Sequence, residues 1–267
     1  MTSNPFDNPI PFRQTVYKNF KGKLRINVIE SDLEKFISSH KIFSILDIGS
    51  GEAEVLSHIL KKHPRINGYC LDSSRKMISL AKKRMAKNHI PNQRVKFIHN
   101  DFLRADLRDI KPDLIFCHAV INWVKDPYKF LKMLNNFSVD KRAYVSLIFG
   151  TTTGYAIDAF VSGDPVLALK IISKSSAMVP SASYPNKKLR VFNGQKIVDY
   201  LANDNDILSV SGIHCFTNML PNKLGNKLNK TKKIFRDIER LELSFHDKEP
   251  FYHFANMLHV IYAPKKK

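Results

Sequence analysis

The chain has 267 residues, of which 43 are Lys or Arg and 24 are Asp or Glu, giving a formal charge of +19. With 43% apolar residues it can build one large α/β core, which excludes a disordered chain. No apolar run approaches the ~20 residues of a membrane-spanning helix. The positive excess points to a polyanion, nucleic acid first, with a solvated basic surface as the plain alternative.

Residues 1–40 predict a helical cap, and the first 17 are polar and Pro-containing, without the apolar stretch of a signal peptide. From there, short apolar runs alternate with helical patterns. Residues 42–48, 66–71, 95–98, 113–117 and 143–149 are expected strands, most of them near-continuously apolar, as in a parallel sheet covered on both faces. Leu56, Ile59 and Leu60 mark one intervening helix; Met77, Leu80, Ala81 and Met85 mark another. This alternation predicts a doubly wound α/β sheet with right-handed crossovers. Residues 151–205 read as a mostly helical insertion after the fifth strand, ending in a basic loop around residues 184–190. Two further strands are expected at 207–216 and 257–263, with a helix at 230–245 that aligns Ile234, Ile238, Leu241 and Phe245. The expected organisation is one domain, with a core over 41–150, the insertion over 151–205 and closing strands and helix over 206–267. Cys70, Cys117 and Cys215 are far apart and each lies in an apolar run, as expected for buried thiols of a reducing compartment, the cytoplasm. No CxxC pair suggests a metal site.

The stretch Leu46-Asp47-Ile48-Gly49-Ser50-Gly51-Glu52-Ala53 leaves the first strand and enters a helix. Gly49 and Gly51 let the backbone turn tightly and approach a ligand at the carboxyl edge of the sheet. A dinucleotide fingerprint would need a small residue where Glu54 stands. The pattern is closer to the D/E-x-G-x-G-x-G turn of class I S-adenosylmethionine-dependent methyltransferases, with Ala53 in the place of the third glycine. Asp72 closes the second strand, 21 residues after Gly51. It suits either a pair of ribose hydroxyls or the cap of the next helix. Asp101 and Phe102 follow the third strand and suit an adenine ring, or a helix cap with a core aromatic. His118 ends the fourth strand facing the expected cleft; a histidine satisfied within the fold is the alternative.

Several further segments carry a resemblance. They are Lys21-Gly22-Lys23-Leu24-Arg25 with Asp32-Leu33, His118-Ala119-Val120 with Trp123-Val124, Ser146-Leu147-Ile148-Phe149 with Gly154, Glu249-Pro250, and His259-Val260. Together with the glycine turn they make the chain similar to the tRNA 5-carboxymethoxyuridine methyltransferases. The likeness is firmest over 17–165 and 236–262. It implies a Rossmann-like, doubly wound, seven-stranded and mostly parallel α/β sheet with an antiparallel C-terminal strand. It implies S-adenosylmethionine as methyl donor, contacted by Arg25, Gly49, Ser50, Asp72 and His118, with Gly51 in the same turn. Asp101 and Phe102 rest on the reading of the residues alone. The implied reaction esterifies the carboxylate of a modified wobble uridine, at position 34 of the tRNA. A carboxylate is already ionised at neutral pH, so no catalytic base is expected and positioning carries the chemistry. His118, Tyr155 and Thr151 to Thr153 are candidates to orient the carboxylate.

The charge then acquires a location. Residues 165–198 hold Lys170, Lys174, Lys187, Lys188, Arg190 and Lys196 without an acid, and 207–236 hold Lys223, Lys227, Lys230, Lys232, Lys233 and Arg236 without one. Both windows lie beyond the donor-binding half, as expected of a surface for a tRNA anticodon arm. Tyr155, Lys187, Lys188, Arg190, Lys232 and Lys233 are the expected RNA contacts, with Tyr184 and Phe192 as further aromatic candidates for stacking. Two rival readings remain: a methyltransferase for a small-molecule carboxylate or quinone precursor, and a non-catalytic RNA-binding protein with a nucleotide fold.

Overall fold

The computed structural model describes residues 5–12, 19–184, 186–220 and 232–265. Helix α1 (Phe20–Ser39) opens on Asn19, whose side chain accepts from the Gly22 amide and so satisfies one free N–H of the first turn. The α/β core follows: β1 (Ser44–Ile48), α2 (Glu54–Lys62), β2 (Asn67–Asp72), α3 (Arg75–Lys87), β3 (Val95–His99), then, after a loop in place of a helix, β4 (Leu114–His118), α4 (Pro127–Lys141) and β5 (Tyr144–Gly150). Then come α5 (Thr152–Val161), α6 (Pro165–Ile172), β6 (Ser176–Pro180), β7 (Lys188–Phe192), α7 (Gly194–Ala202), β8 (Asn205–Ile213), α8 (Lys232–Phe245) and β9 (Met257–Pro264).

Seven strands form one sheet in the order β3-β2-β1-β4-β5-β9-β8. All are parallel except β9, which runs antiparallel to both β5 and β8. The expected doubly wound sheet with an antiparallel last strand is therefore present. The order reverses between β1 and β4, and the crevice at the carboxyl ends of those two strands is where an α/β sheet of this kind receives a ligand. Each face is covered by its own core. One packs Leu24, Val28, Leu33, Leu56 and Ile59 from α1 and α2 against Ile45, Phe116 and Ile261. The other packs Phe130, Leu131 and Leu134 from α4 and Ile197 and Leu201 from α7 against Ile115, Val145, Leu147 and Val260. Burial on both faces explains why these strands read as unbroken apolar runs.

The structure changes two expectations. The insertion is only partly helical: β6 and β7 pair as an antiparallel hairpin. Ala177 and Val179 are buried while Met178 is half exposed, and Leu189 and Val191 are buried on either side of Arg190. That period-two alternation is a strand signal, which the helical reading of the segment overlooked. The strand expected at 207–216 runs instead from Asn205 to Ile213. It stops where His214 takes φ +64, a left-handed conformation that a strand cannot continue. The loop beyond is held by Glu242 of α8. This buried carboxylate accepts the amides of Cys215, Phe216 and Thr217 at 2.9–3.1 Å and the Thr217 hydroxyl at 2.9 Å. All three cysteines are buried free thiols. Among the described residues no helix is long and apolar enough to cross a membrane, and no cluster of side chains has metal-binding geometry.

Candidate functional site

The turn after β1 is built from left-handed backbone. Gly49, Gly51 and Ala53 have φ of +66, +54 and +54. The amides of Gly49 and Ser50 both bond the Leu71 carbonyl, at 2.8 and 3.0 Å, which ties the turn to the end of β2. Ala53, where the related turn has glycine, holds the left-handed conformation itself, with its methyl group buried in the core. At Gly49 a side chain has no room, because an added Cβ would lie 2.5 Å from Val120 Cγ2 in the loop after β4. Gly49→Ala is accordingly expected to lose about 1–2 kcal/mol of stability from backbone strain, together with the contact that closes the turn on β4. Urea denaturation and ligand titration of the variant check this.

Asp72 sits beneath the turn. Its Oδ2 accepts the Gly51 amide at 2.8 Å and its Oδ1 accepts the Ser74 amide at 2.8 Å. The helix-cap role falls to Ser74, whose hydroxyl accepts from the Met77 amide. Burial raises the Asp72 carboxyl above its ordinary value, against the lowering effect of these two amides. Asp47, on β1, is raised well above the carboxylate range by burial and by the Asp72 charge. Two carboxyls enclosed side by side favour a ligand that brings hydrogen-bond donors.

The remaining donor-side residues fall unevenly around this crevice. Asp101 is exposed after β3 and its Oδ1 accepts the Leu103 amide at 2.8 Å. Phe102 does not stand free as a stacking platform: its half-buried ring packs at 5.4 and 5.9 Å from Phe130 and Phe137 of α4, as a core residue does. Arg25 lies on α1, near enough for its charge to act on His118, Tyr155 and His214. His118 is half-buried at the end of β4 and stacks on Phe116. Burial pushes it well below the ordinary imidazole range, with the Arg25 charge adding to the effect. It is a neutral imidazole.

Behind His118 runs a buried polar seam that the sequence reading missed. His118 Nε2 lies 2.8 Å from Ser146 Oγ on β5, and Ser146 Oγ lies 2.8 Å from His259 Nε2 on β9. His259 Nδ1 meets Asp32 Oδ2 of α1 at 2.9 Å, and Asp32 Oδ1 meets His246 Nε2 at 2.7 Å. Ser211 of β8 also donates to Asp32. The His246 pair and the other partners hold Asp32 well below the carboxylate range despite its burial, while Asp32 raises His246 against the effect of burial there. One signal was available in the sequence: Asp32 interrupts the stripe Leu24, Val28, Phe36 at four-residue spacing on a helix face that is otherwise apolar and buried.

The other wall is the hairpin. Asn122, buried in the loop after β4, receives the Arg190 amide on its carbonyl at 2.8 Å and donates Nδ2 to the Arg190 carbonyl at 2.6 Å. Its Oδ1 also accepts the Gly150 amide at 3.4 Å, so one residue pins β7 to the ends of β4 and β5. Trp123 and Tyr155 pack against Val191 in the apolar cluster beneath the hairpin. Arg190 is half-buried there, and its Nε is buried with no hydrogen-bond acceptor among the described residues. Tyr155 is half-buried and burial raises its hydroxyl to about 12. Lys187 and Lys188 are exposed on the same hairpin.

Other expected contacts sit elsewhere. Lys233 is exposed on α8, which packs on α1, while Lys223, Lys227, Lys230 and the side chain of Lys232 lie outside the described residues. Tyr184 and Phe192 are corrections. Tyr184 is buried, donates its hydroxyl to the Asn8 carbonyl at 3.1 Å and packs with Phe6 and Trp123. Phe192 is buried against Phe149. Neither offers a face to a base. Thr151 is spent on the α5 cap, accepting from Gly154 and donating to the Ala255 carbonyl. The stretch around Phe6 was not anticipated at all: the Ser74 hydroxyl meets Asp7 Oδ1 at 2.9 Å, so the N-terminal segment reaches the same crevice.

Residues 46–138 match the family described as Methyltransferase domain. The chain is 24% identical to the tRNA 5-carboxymethoxyuridine methyltransferase of Escherichia coli (strain K12), over 93% of this chain and 91% of that protein. It is 25% identical to malonyl-[acyl-carrier protein] O-methyltransferase 1 of Ilyobacter polytropus, over 78% of this chain and 75% of the relative. The solved structure of the plantazolicin methyltransferase BpumL in complex with SAH is similar in fold, with a TM-score of 0.56 at 15% identity, over 99% of this chain and 92% of that one.

Proposed function

We propose, on the premise that this chain carries a methyltransferase domain of the class I fold, that it uses S-adenosylmethionine to esterify the carboxylate of 5-carboxymethoxyuridine at the wobble position of a tRNA in the cytoplasm. The residues fit the donor. After bonding Gly51 and Ser74, each Asp72 oxygen keeps a lone pair for a ribose hydroxyl. The glycine turn leaves the backbone open to close approach, and Arg25 supplies a fork for a carboxylate at the methionyl end. Asp101 lies at the β3 end, towards the adenine side. When bound, S-adenosylmethionine supplies an electrophilic methyl group on a sulfonium.

The observation that carries the substrate side is Arg190. A guanidinium whose buried Nε lacks an acceptor, beside the ends of β4 and β5, calls for an anion. A carboxylate gripped through one oxygen keeps the other free as nucleophile, and Tyr155 has a hydroxyl to orient it. The enclosing walls of Trp123, Tyr155 and Val191 exclude water while the two charges approach. No side chain has to remove a proton. Lys187 and Lys188 extend from the same hairpin towards a phosphate backbone.

Incubating the protein with S-adenosylmethionine and tRNA that carries 5-carboxymethoxyuridine, followed by nucleoside mass spectrometry, tests this. The expected product gains one methyl group and loses it on mild alkaline treatment. An alkali-stable methyl group, or none, overturns the reading. The likeness to the malonyl-[acyl-carrier protein] enzyme favours a second reading, a carboxylate carried by an acyl-carrier protein, and methyl transfer to that substrate alone would select it.

A further inference from the structure

The seam behind His118 has a direction that its hydrogen bonds fix. His246 Nδ1 faces the Leu243 carbonyl at 3.2 Å, and a carbonyl only accepts, so Nδ1 donates. His246 Nε2 faces the Asp32 carboxylate at 2.7 Å and donates as well. His246 is therefore an imidazolium paired with an ionised Asp32. An ionised Asp32 only accepts, so His259 presents Nδ1–H to it at 2.9 Å and keeps a lone pair on Nε2. That lone pair accepts a hydrogen bond from the Ser146 hydroxyl at 2.8 Å, which leaves the Ser146 oxygen to accept Nε2–H of His118 at 2.8 Å. The neutral ring of His118 then carries its one lone pair on Nδ1, which has no hydrogen-bond partner among the described residues.

Each member of the chain is set by the fold. His118, Ser146, His259 and Ser211 come from four adjacent strands, β4, β5, β9 and β8, and Asp32 comes from the helix packed on that face. Ser146, His259, Asp32 and His246 are all buried, so water does not compete for these bonds.

We infer that Asp32, His259 and Ser146 are positioning residues that lock His118 as the Nε2–H tautomer, so that its Nδ1 accepts a hydrogen bond from the ammonium group of the methyl donor. The ligand half of this inference rests on the methyl-donor reading above; the tautomer half does not. The adenosine end of such a donor lies towards Asp72 on β2, which directs its amino-acid end across β1 to β4 and His118. An ammonium has three donors and no acceptor, so a ring nitrogen locked as an acceptor suits it and one locked as a donor repels it.

Side-chain 15N–1H correlation spectra of the full-length, histidine-labelled protein test the inference, with His118→Asn used to assign the ring. At neutral pH the His118 signals should report a protonated Nε2 and a bare Nδ1. Ser146→Ala, which breaks the chain in its middle, should give mixed tautomers and weaken S-adenosylhomocysteine binding about tenfold, the scale of one hydrogen bond. Ser146→Cys, a near-isostere with a weaker donor and acceptor, should fall between the two and serves if the alanine variant does not fold. A wild-type His118 protonated on Nδ1 overturns the inference, as does a folded Ser146→Ala protein with unchanged tautomer and affinity. A wild-type ring with the expected tautomer in a protein that binds no S-adenosylhomocysteine overturns the ligand half and the methyl-donor reading, and leaves the relay standing.

Discussion

Asp72→Ala is expected to lower the affinity for S-adenosylhomocysteine about a hundredfold in a calorimetric titration. The change removes a charged acceptor for the ribose, worth about 1.5–3 kcal/mol for hydrogen bonds of that kind. It also releases the Gly51 and Ser74 amides that the carboxylate holds at 2.8 Å. Asp72→Asn retains one acceptor oxygen and should fall between. The affinity should also depend on pH in a defined sense. Because burial raises the Asp72 carboxyl above its ordinary 3.8, protonation removes its charge and turns one acceptor oxygen into a donor at a higher pH than for an exposed aspartate. Affinity should therefore fall as the pH is lowered through that raised value, and the alanine variant should lack this limb. Wild-type affinity in Asp72→Ala would reduce the residue to a brace for the turn.

The second large effect is expected on the acceptor side. Arg190→Ala should lower kcat/KM for tRNA at least about thirtyfold while leaving S-adenosylhomocysteine affinity unchanged. Truncating one member of a buried, hydrogen-bonded charge pair costs about 2–5 kcal/mol, mostly because the other charge is left without a partner. Arg190→Lys keeps the charge without the planar fork and should recover only part of the loss. The backbone bonds between Arg190 and Asn122 survive either substitution, so the hairpin should keep its place. Equal loss of donor affinity in Arg190→Ala would instead put the guanidinium on the donor.

The donor half of the molecule was legible because its signals are local. Two glycines at one strand exit, Gly49 and Gly51, and an acid at the next, Asp72, dictate the turn directly, and the five-strand alternation over 42–149 places it on the sheet. The acceptor half was less so. β6 was read within a mostly helical stretch and the start of β7 within a basic loop, because the apolar alternation over 176–180 and 188–192 is short and flanked by helical stretches. Tyr184 and Phe192 looked like free aromatics because sequence does not say that Phe6, 178 positions away from Tyr184, returns to cover one of them. The polar seam joins His118 to a serine 28 residues on and Asp32 to a histidine 227 residues on, separations that no periodicity encodes. Arg190 was picked out for its charge, whereas its burial without an acceptor appears only in the fold.

The chain leaves the main sheet at the end of β5, builds α5, α6 and the hairpin, and comes back through α7 to β8, which joins that sheet beside β9. Everything placed on the acceptor side near Arg190, apart from the β4 loop, lies in this one excursion. The residues placed against the donor precede it, and the strand that carries His259 behind them follows it. Such an arrangement is a cassette: substrate choice can be rewritten by exchanging a single continuous segment while the donor turn and its supporting strands are inherited whole. A graft of residues 151–202 between two related chains would carry the acceptor preference with it, provided that the recipient keeps an asparagine at the place of Asn122 to receive the hairpin.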